Sequence, residues 1–184
     1  LLLTRDYFDD WLDRVQHRIR PRTLVSYKEH VARAMAVIGD IPVALVTTAD
    51  IERVYASYRS RGVKPKTVLN CHRILRAAFT EAIEDAKLRT DNPVVKKLAP
   101  KAEKFEIKPP APEEVRKIFA AADATPYGSV VRLAALTGMR LGELLALSWS
   151  DVDLRRSTLH IRASTTKTQR GRVIDLDRQA AALL

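Results

Sequence analysis

The sequence predicts a mainly α-helical protein of two domains with one small β-hairpin, on three observations. Four amphipathic stripes of helical period fill the first hundred residues. A strap of lysines and prolines crosses residues 96–112. Near Thr158 the apolar spacing changes from about 3.6 to about 2, the mark of a strand. With 184 residues, 46% of them hydrophobic, the chain has material for one large or two small cores.

Each element has its own local reason. Phe8, Trp11, Leu12, Val15 and Ile19 fall at helical spacing, with Thr4 placed to cap the helix. Pro21 opens a second helix striped by Leu24, Tyr27, Val31, Met35 and Ile38, and Gly39 ends it before the Asp40-Ile41-Pro42 turn. Thr47 or Thr48 caps a third helix carrying Ile51, Val54, Tyr55 and Tyr58, closed by Gly62. A fourth starts near Pro65, buries Val68, His72, Leu75, Phe79 and Ile83, and ends before Asn92-Pro93, because the residue before proline avoids helical dihedrals. These elements make a first domain over residues 1–97. Lys96, Lys97, Lys101, Lys104 and Lys108 interleave with Pro100, Pro109, Pro110 and Pro112, so 98–111 reads as a linker that can also lie along a phosphate backbone. A second domain, 112–184, begins at Pro112-Glu113-Glu114, with acids in a first helical turn. Helices are expected at 113–123, 126–137 and 140–148, with Gly138 allowing a sharp turn. Thr158, His160 and Arg162 then alternate with Leu159, Ile161 and Ala163. A second strand from Arg172 to Leu176 completes a hairpin with a longer loop.

Composition narrows the function classes. Lys and Arg number 32 against 22 Asp and Glu, a net charge of +10. Residues 1–100 hold 18 basic and 12 acidic side chains, and 101–184 hold 14 and 10, so the excess is spread and does not sit in a tail. A folded chain that is basic throughout suits a polyanion, most often nucleic acid. Cys71 is the single cysteine, which excludes an intrachain disulfide and a cysteine zinc site, and inside a helix it reads as a small core residue. His72 and His160 lack metal-ligand spacing and read as packing or surface residues. No run approaches a membrane span and no signal peptide opens the chain, so a cytoplasmic protein is expected. Residue 1 is Leu and the chain ends in Ala-Ala-Leu-Leu, so both ends read as cut.

Two features carry chemistry. Arg140 lies among Leu133, Ala134, Leu136, Leu141, Leu144, Leu145 and Leu147, where a guanidinium must find a partner or stay open to an anion. Glu143, three residues on, is within reach; the pair either orients a helix or frames an anion site. The second feature is the run Thr166-Lys167-Thr168-Gln169-Arg170-Gly171-Arg172 in the hairpin loop, which alone reads equally as a solvated basic tip.

Together and in this order, these residues resemble the tyrosine recombinase (phage integrase) family. Thr137-Gly138-Met139-Arg140-Leu141-Gly142-Glu143-Leu144 with Leu147-Ser148-Trp149-Ser150-Asp151-Val152 looks like its first catalytic box. Lys167-Thr168 followed by Arg172-Val173-Ile174-Asp175-Leu176 resembles its lysine hairpin. Arg22-Thr23-Leu24-Val25-Ser26-Tyr27, Gly39-Asp40-Ile41-Pro42 and Pro65-Lys66-Thr67-Val68-Leu69-Asn70 are similar to its core-binding domain. The resemblance implies a helical SAM-like core-binding domain followed by the N-terminal half of a mixed α/β catalytic domain. It implies Arg140 on the non-bridging oxygens of a scissile phosphate, Lys167 as general acid for the departing 5′-oxygen, and Glu143 as a supporting carboxylate. The family joins DNA through a covalent 3′-phosphotyrosine, with no cofactor: neither ATP nor a required metal. It acts on double-stranded DNA as a tetramer on paired sites, whereas this chain alone is expected to be a monomer.

The family pattern also places a His-x-x-Arg box, a later His or Trp and the tyrosine nucleophile after the lysine hairpin. None follows Lys167 here, and Tyr7, Tyr27, Tyr55, Tyr58 and Tyr127 all precede Arg140, so this chain alone is expected not to cleave DNA. His30-Val31-Ala32-Arg33 matches the box by letter but lies in the first domain. DNA contacts are expected from Arg22, Thr23 and Lys28 on helix two and from Lys64, Lys66, Thr67, Asn70, Arg73 and Arg76 on helix four, against the alternative of a solvated basic face. Two other functions fit parts of the pattern. A non-enzymatic DNA-binding protein shares every feature, and a helix-turn-helix regulator leaves Arg140 without a role.

Overall fold

The computed structural model describes residues 1–101, 106–166 and 170–184. The chain divides into two compact units, Leu1–Glu106 and Ile107–Leu184.

The first unit packs four helices, α1 (Thr4–Val15), α2 (Pro21–Ile38), α3 (Thr48–Arg59) and α4 (Pro65–Glu84), around one core. Phe8, Trp11, Ile38, Ile51, Tyr55, Tyr58, Leu75 and Phe79 are its largest buried side chains. The aromatic rings meet edge to face at Phe8–Phe79, while Trp11 stacks on Tyr27 at 5.8 Å. Cys71 is free and fully buried, as its place in the helix predicts.

Local chemistry sets the helix ends, with two departures from the expected pattern. Thr4 is the first residue of α1 and does not cap it. Its hydroxyl donates to the Ile41 carbonyl at 2.6 Å, so tertiary contact with the 39–42 turn outcompetes capping. The helix stops at Val15, and Ile19 packs against the core from outside it. Thr47 caps α3, its hydroxyl accepting from Asp50 N–H while the Asp50 carboxylate accepts from Thr47 N–H. After α4 the chain folds back on the helix. Arg89, almost wholly buried, donates to the carbonyls of Val43 and Val46 at 2.9 and 3.1 Å. The Asn92 amide donates to the Arg76 carbonyl and to Thr80 Oγ1.

The second unit has α5 (Pro112–Asp123), α6 (Gly128–Thr137), the five-residue α7 (Leu141–Leu145), a three-stranded antiparallel sheet and α8 (Arg178–Ala181). The strands run in the order β1 (Val152–Asp153), β2 (Thr158–Ile161), β3 (Arg172–Asp175). The hairpin pairs Leu159 with Ile174 and Ile161 with Arg172, turning Leu159 and Ile161 into the core and His160 outward. Strand β1 escapes sequence reading because two residues show no period. The helix expected at 140–148 spans only Leu141–Leu145, and a tight turn at Trp149–Asp151 follows it. Asp151 accepts from the Ser148 backbone and hydroxyl, both at 3.0 Å, and pairs with Arg162. The core here is small: Leu133, Met139, Leu159, Ile161, Leu176 and Ala180.

Candidate functional site: a buried carboxylate between two arginines

Gly138 ends α6 with φ of +63°, a left-handed turn in which a side chain would be strained. That turn sends the chain outward, so Arg140 stands in extended conformation as the residue before α7 and not on it. Glu143 therefore reaches Arg140 by turning back across the helix start. Its carboxylate accepts from the Arg140 backbone N–H at 3.0 Å and from the Arg140 guanidinium at 3.0 Å.

The Glu143 side chain is only 1% exposed, whereas that of Arg140 is 62% exposed. A buried carboxylate with one exposed partner would be poorly compensated. The second partner is Arg172, at the start of β3, whose guanidinium donates to both Glu143 oxygens at 3.0 and 2.7 Å. The fork of Arg172, then the Arg140 backbone N–H, hold the Glu143 carboxyl well below the usual range, at about 2. One carboxylate between two guanidiniums keeps a net positive charge. The larger exposed share belongs to Arg140, at 62% against 37% for Arg172, so Arg140 is held in place from behind and open to an oxyanion in front.

Lys167 lies outside the described residues. Its flanks are described: Thr166 is buried, its hydroxyl donating to the Ala163 carbonyl and accepting from the Arg170 N–H, each at 3.0 Å. Arg172 was not among the expected site residues, although the strand period held the signal. In Arg172-Val173-Ile174-Asp175 the first and third residues turn inward, so the pattern puts a guanidinium on the covered face of a strand.

The residues expected to meet DNA separate into groups. On α2, Arg22, Thr23 and Lys28 are all exposed. Lys28 stands about a third of a turn from Arg22 and lines a groove against α1 with Asp9 and Asp13. On α4, Lys66, Asn70 and Arg73 share one stripe. Lys66, Arg73 and Lys64, the residue before the helix, are exposed, and Thr67 and Asn70 are half-buried. Arg76 is committed elsewhere, one guanidinium nitrogen donating to the Val94 carbonyl at 2.5 Å. His72 bonds Tyr55 in the core, and among the described residues no His, Cys, Asp and Glu cluster could hold a metal ion. No helix among them is long and apolar enough to cross a membrane.

The phage integrase family matches residues 111–184, the whole second unit but for its first residues. The integrase of Enterobacteria phage 434 is 31% identical over 149 residues, covering 77% of this chain and 41% of that protein. A XerC-like tyrosine recombinase of Caldanaerobacter subterraneus is 27% identical over 165 residues, covering 85% and 42%. The chain thus spans less than half the length of these relatives. Among solved structures, a lambda integrase dimer bound to a COC′ core site superposes with a TM-score of 0.82 at 26% identity, over 95% of this chain and 62% of that one. A lambda integrase tetramer bound to a Holliday junction gives 0.83 at 26% identity, over 98% and 53%.

Proposed function

The chain belongs to the tyrosine recombinase family, and from that premise we propose that it supplies the DNA clamp and the phosphate-binding arginine of an integrase-type site-specific recombinase. In this reading residues 1–97 form the core-binding domain, 98–111 a basic linker, and 112–184 the first part of the catalytic domain. The observation that carries it is the exposed Arg140 guanidinium braced by buried Glu143, itself held by Arg172.

Strand cleavage of this type puts extra negative charge on the scissile phosphorus as a tyrosine displaces the 5′-oxygen. Arg140 donates two parallel N–H groups to the non-bridging oxygens, and its anchored geometry means little reorganisation as the charge grows. Glu143 keeps that fork oriented. Lys167 donates a proton to the departing 5′-oxygen. The partner is double-stranded DNA, met by Arg22 and Thr23 on α2 and by Lys64, Lys66, Thr67, Asn70 and Arg73 on α4, with most contacts to phosphates. The complete recombinase acts as a tetramer on paired sites.

Two experiments test the two halves of this reading. Duplex binding by the 184-residue chain, followed by fluorescence anisotropy across a salt series, weakens in Lys66→Glu/Arg73→Glu and loses about two units of salt slope. Unchanged binding would assign that face to solvent. In a protein carrying this chain together with a downstream tyrosine, Arg140→Ala abolishes strand cleavage while the melting temperature moves by only a few degrees. Retained cleavage would take the phosphate-binding role away from Arg140, whereas an unsubstituted protein that binds duplex without cleaving it would leave a non-enzymatic DNA-binding protein.

A further inference from the structure

A second arginine pair sits in the first unit, apart from the residues assigned above. Arg33 on α2 and Arg61, just after α3, line a cavity of about 140 Å³ with Ser57, Tyr58 and Val63. Both arginines are exposed, and neither forms an ion pair among the described residues; Glu29, one turn before Arg33, pairs with neither. Among the described residues nine other arginines do carry carboxylate partners: Arg5, Arg53, Arg89, Arg116, Arg132, Arg140, Arg156, Arg162 and Arg172.

The cavity floor is fixed. The Arg33 guanidinium lies over the Tyr58 ring, 5.7 Å from its centroid. Tyr58 is itself buried, with its hydroxyl 2.9 Å from His30 Nδ1. The Ser57 hydroxyl donates to the Val54 carbonyl at 2.7 Å and Arg33 also reaches the Tyr58 hydroxyl, so the remaining guanidinium N–H groups of the two arginines are the donors left to the cavity. On the far side, Gly62 takes φ of +67° and turns the chain so that Arg61 and Val63 face the same space. Two like charges brought to one small cavity repel unless an anion lies between them. A guanidinium stacked on a ring loses little freedom when it binds one.

We propose that Arg33 and Arg61 form a preformed pocket for a single phosphate group, supplied by the backbone of bound duplex DNA. The phosphate chemistry follows from the two forks and the pocket size. The DNA source rests on the duplex-binding reading above and on placement. Arg33 is eleven residues from Arg22 on the same side of α2, about three turns along, and Arg61 precedes Lys64 and Lys66 by three and five residues. The pocket thus joins the basic rows of the two helices.

The test uses the 184-residue chain and two probes. Inorganic phosphate, titrated at constant ionic strength and followed by amide NMR, shifts the signals of Ser57, Tyr58 and Arg61 to Val63 saturably, and Arg33→Gln/Arg61→Gln removes the response. On a duplex, the same variant lowers the slope of log affinity against log salt by about one. Arg61→Gln alone leaves the ring contact of Arg33 in place, so a loss of either response in that variant does not come from unfolding. No localised shift together with an unchanged slope overturns the pocket. Localised shifts with an unchanged slope overturn the DNA source and make it a site for free phosphate. A wild-type chain that binds no duplex removes the reading of the previous subsection and the DNA source with it, while the phosphate titration still decides the pocket.

Discussion

Glu143 is the residue on which the second unit's site turns. Its carboxylate, almost fully covered, accepts one backbone and three guanidinium hydrogen bonds. Because its folded pKa, about 2, lies below the ordinary 4.5, its contribution to stability is complete above about pH 4.5 and fades as pH falls toward 2. Arg172→Ala removes two of the four bonds and leaves part of a buried charge without a partner, at a cost of about 1–3 kcal/mol. Lysine at 172 does not restore the loss, since an ammonium lacks the fork. Urea unfolding of the single variants, with NMR titration of the Glu143 carboxyl, reads both effects. A titration midpoint that stays near 2 in Arg172→Ala would show that the backbone N–H and Arg140 suffice.

At the level of elements, two tyrosine–histidine pairs tie the first unit together. Tyr58 on α3 meets His30 on α2 at 2.9 Å, and Tyr55 on α3 meets His72 on α4 at 2.8 Å. The middle helix thus holds both neighbours through neutral imidazoles. Burial comes first and neighbouring arginines second in lowering the pKa of each: Arg33 acts on His30, and Arg76 and Arg73 act on His72. A lowered folded pKa means the unfolded chain takes up protons first as pH falls below about 6.5. The first unit is therefore less stable at pH 5 than at pH 7.5, and His30→Gln/His72→Gln flattens that dependence. Denaturation midpoints at the two pH values measure it, and an equal dependence in the double variant would move the cause to other groups. The same scale shows why α7 is short. Gly138 and the extended Arg140 spend the chain's length on a turn, and Glu143 closes the helix start.

Over the whole molecule, burial is uneven. The first unit encloses a continuous core from Tyr7 to Val94, while the second, among its described residues, encloses six apolar side chains. Helix α5 has no buried residue, and Leu141, Leu145 and Trp149 are 69%, 77% and 69% exposed. Apolar area removed from water is the main term favouring the folded state, so opening the second unit costs less. In hydrogen exchange, amides of α5 and α6 are expected to exchange orders of magnitude faster than those of α3 and α4. Equal protection would show that the second unit draws stability from contacts other than its own core. The +10 charge is likewise a property of the whole molecule. It is shared by both units, which suits a chain that meets a polyanion along its length.

Helical stripes, Pro21 and Pro65 at helix starts, the Gly138 turn and the alternation at Leu159 and Ile161 were readable in the sequence because each depends on neighbours a few residues away. So were the order of the Arg140 and Lys167 motifs and the family they resemble. The tertiary structure decided what depends on residues far apart. Thr4 serves the Ile41 carbonyl instead of its own helix, Arg76 is drawn to Val94, and Lys28 faces the carboxylates of α1. It also brought Arg172 across 29 residues onto Glu143, and Arg33 beside Arg61. A hydrogen bond or ion pair acts over a few ångströms, and only the folded chain determines which distant residues come that close.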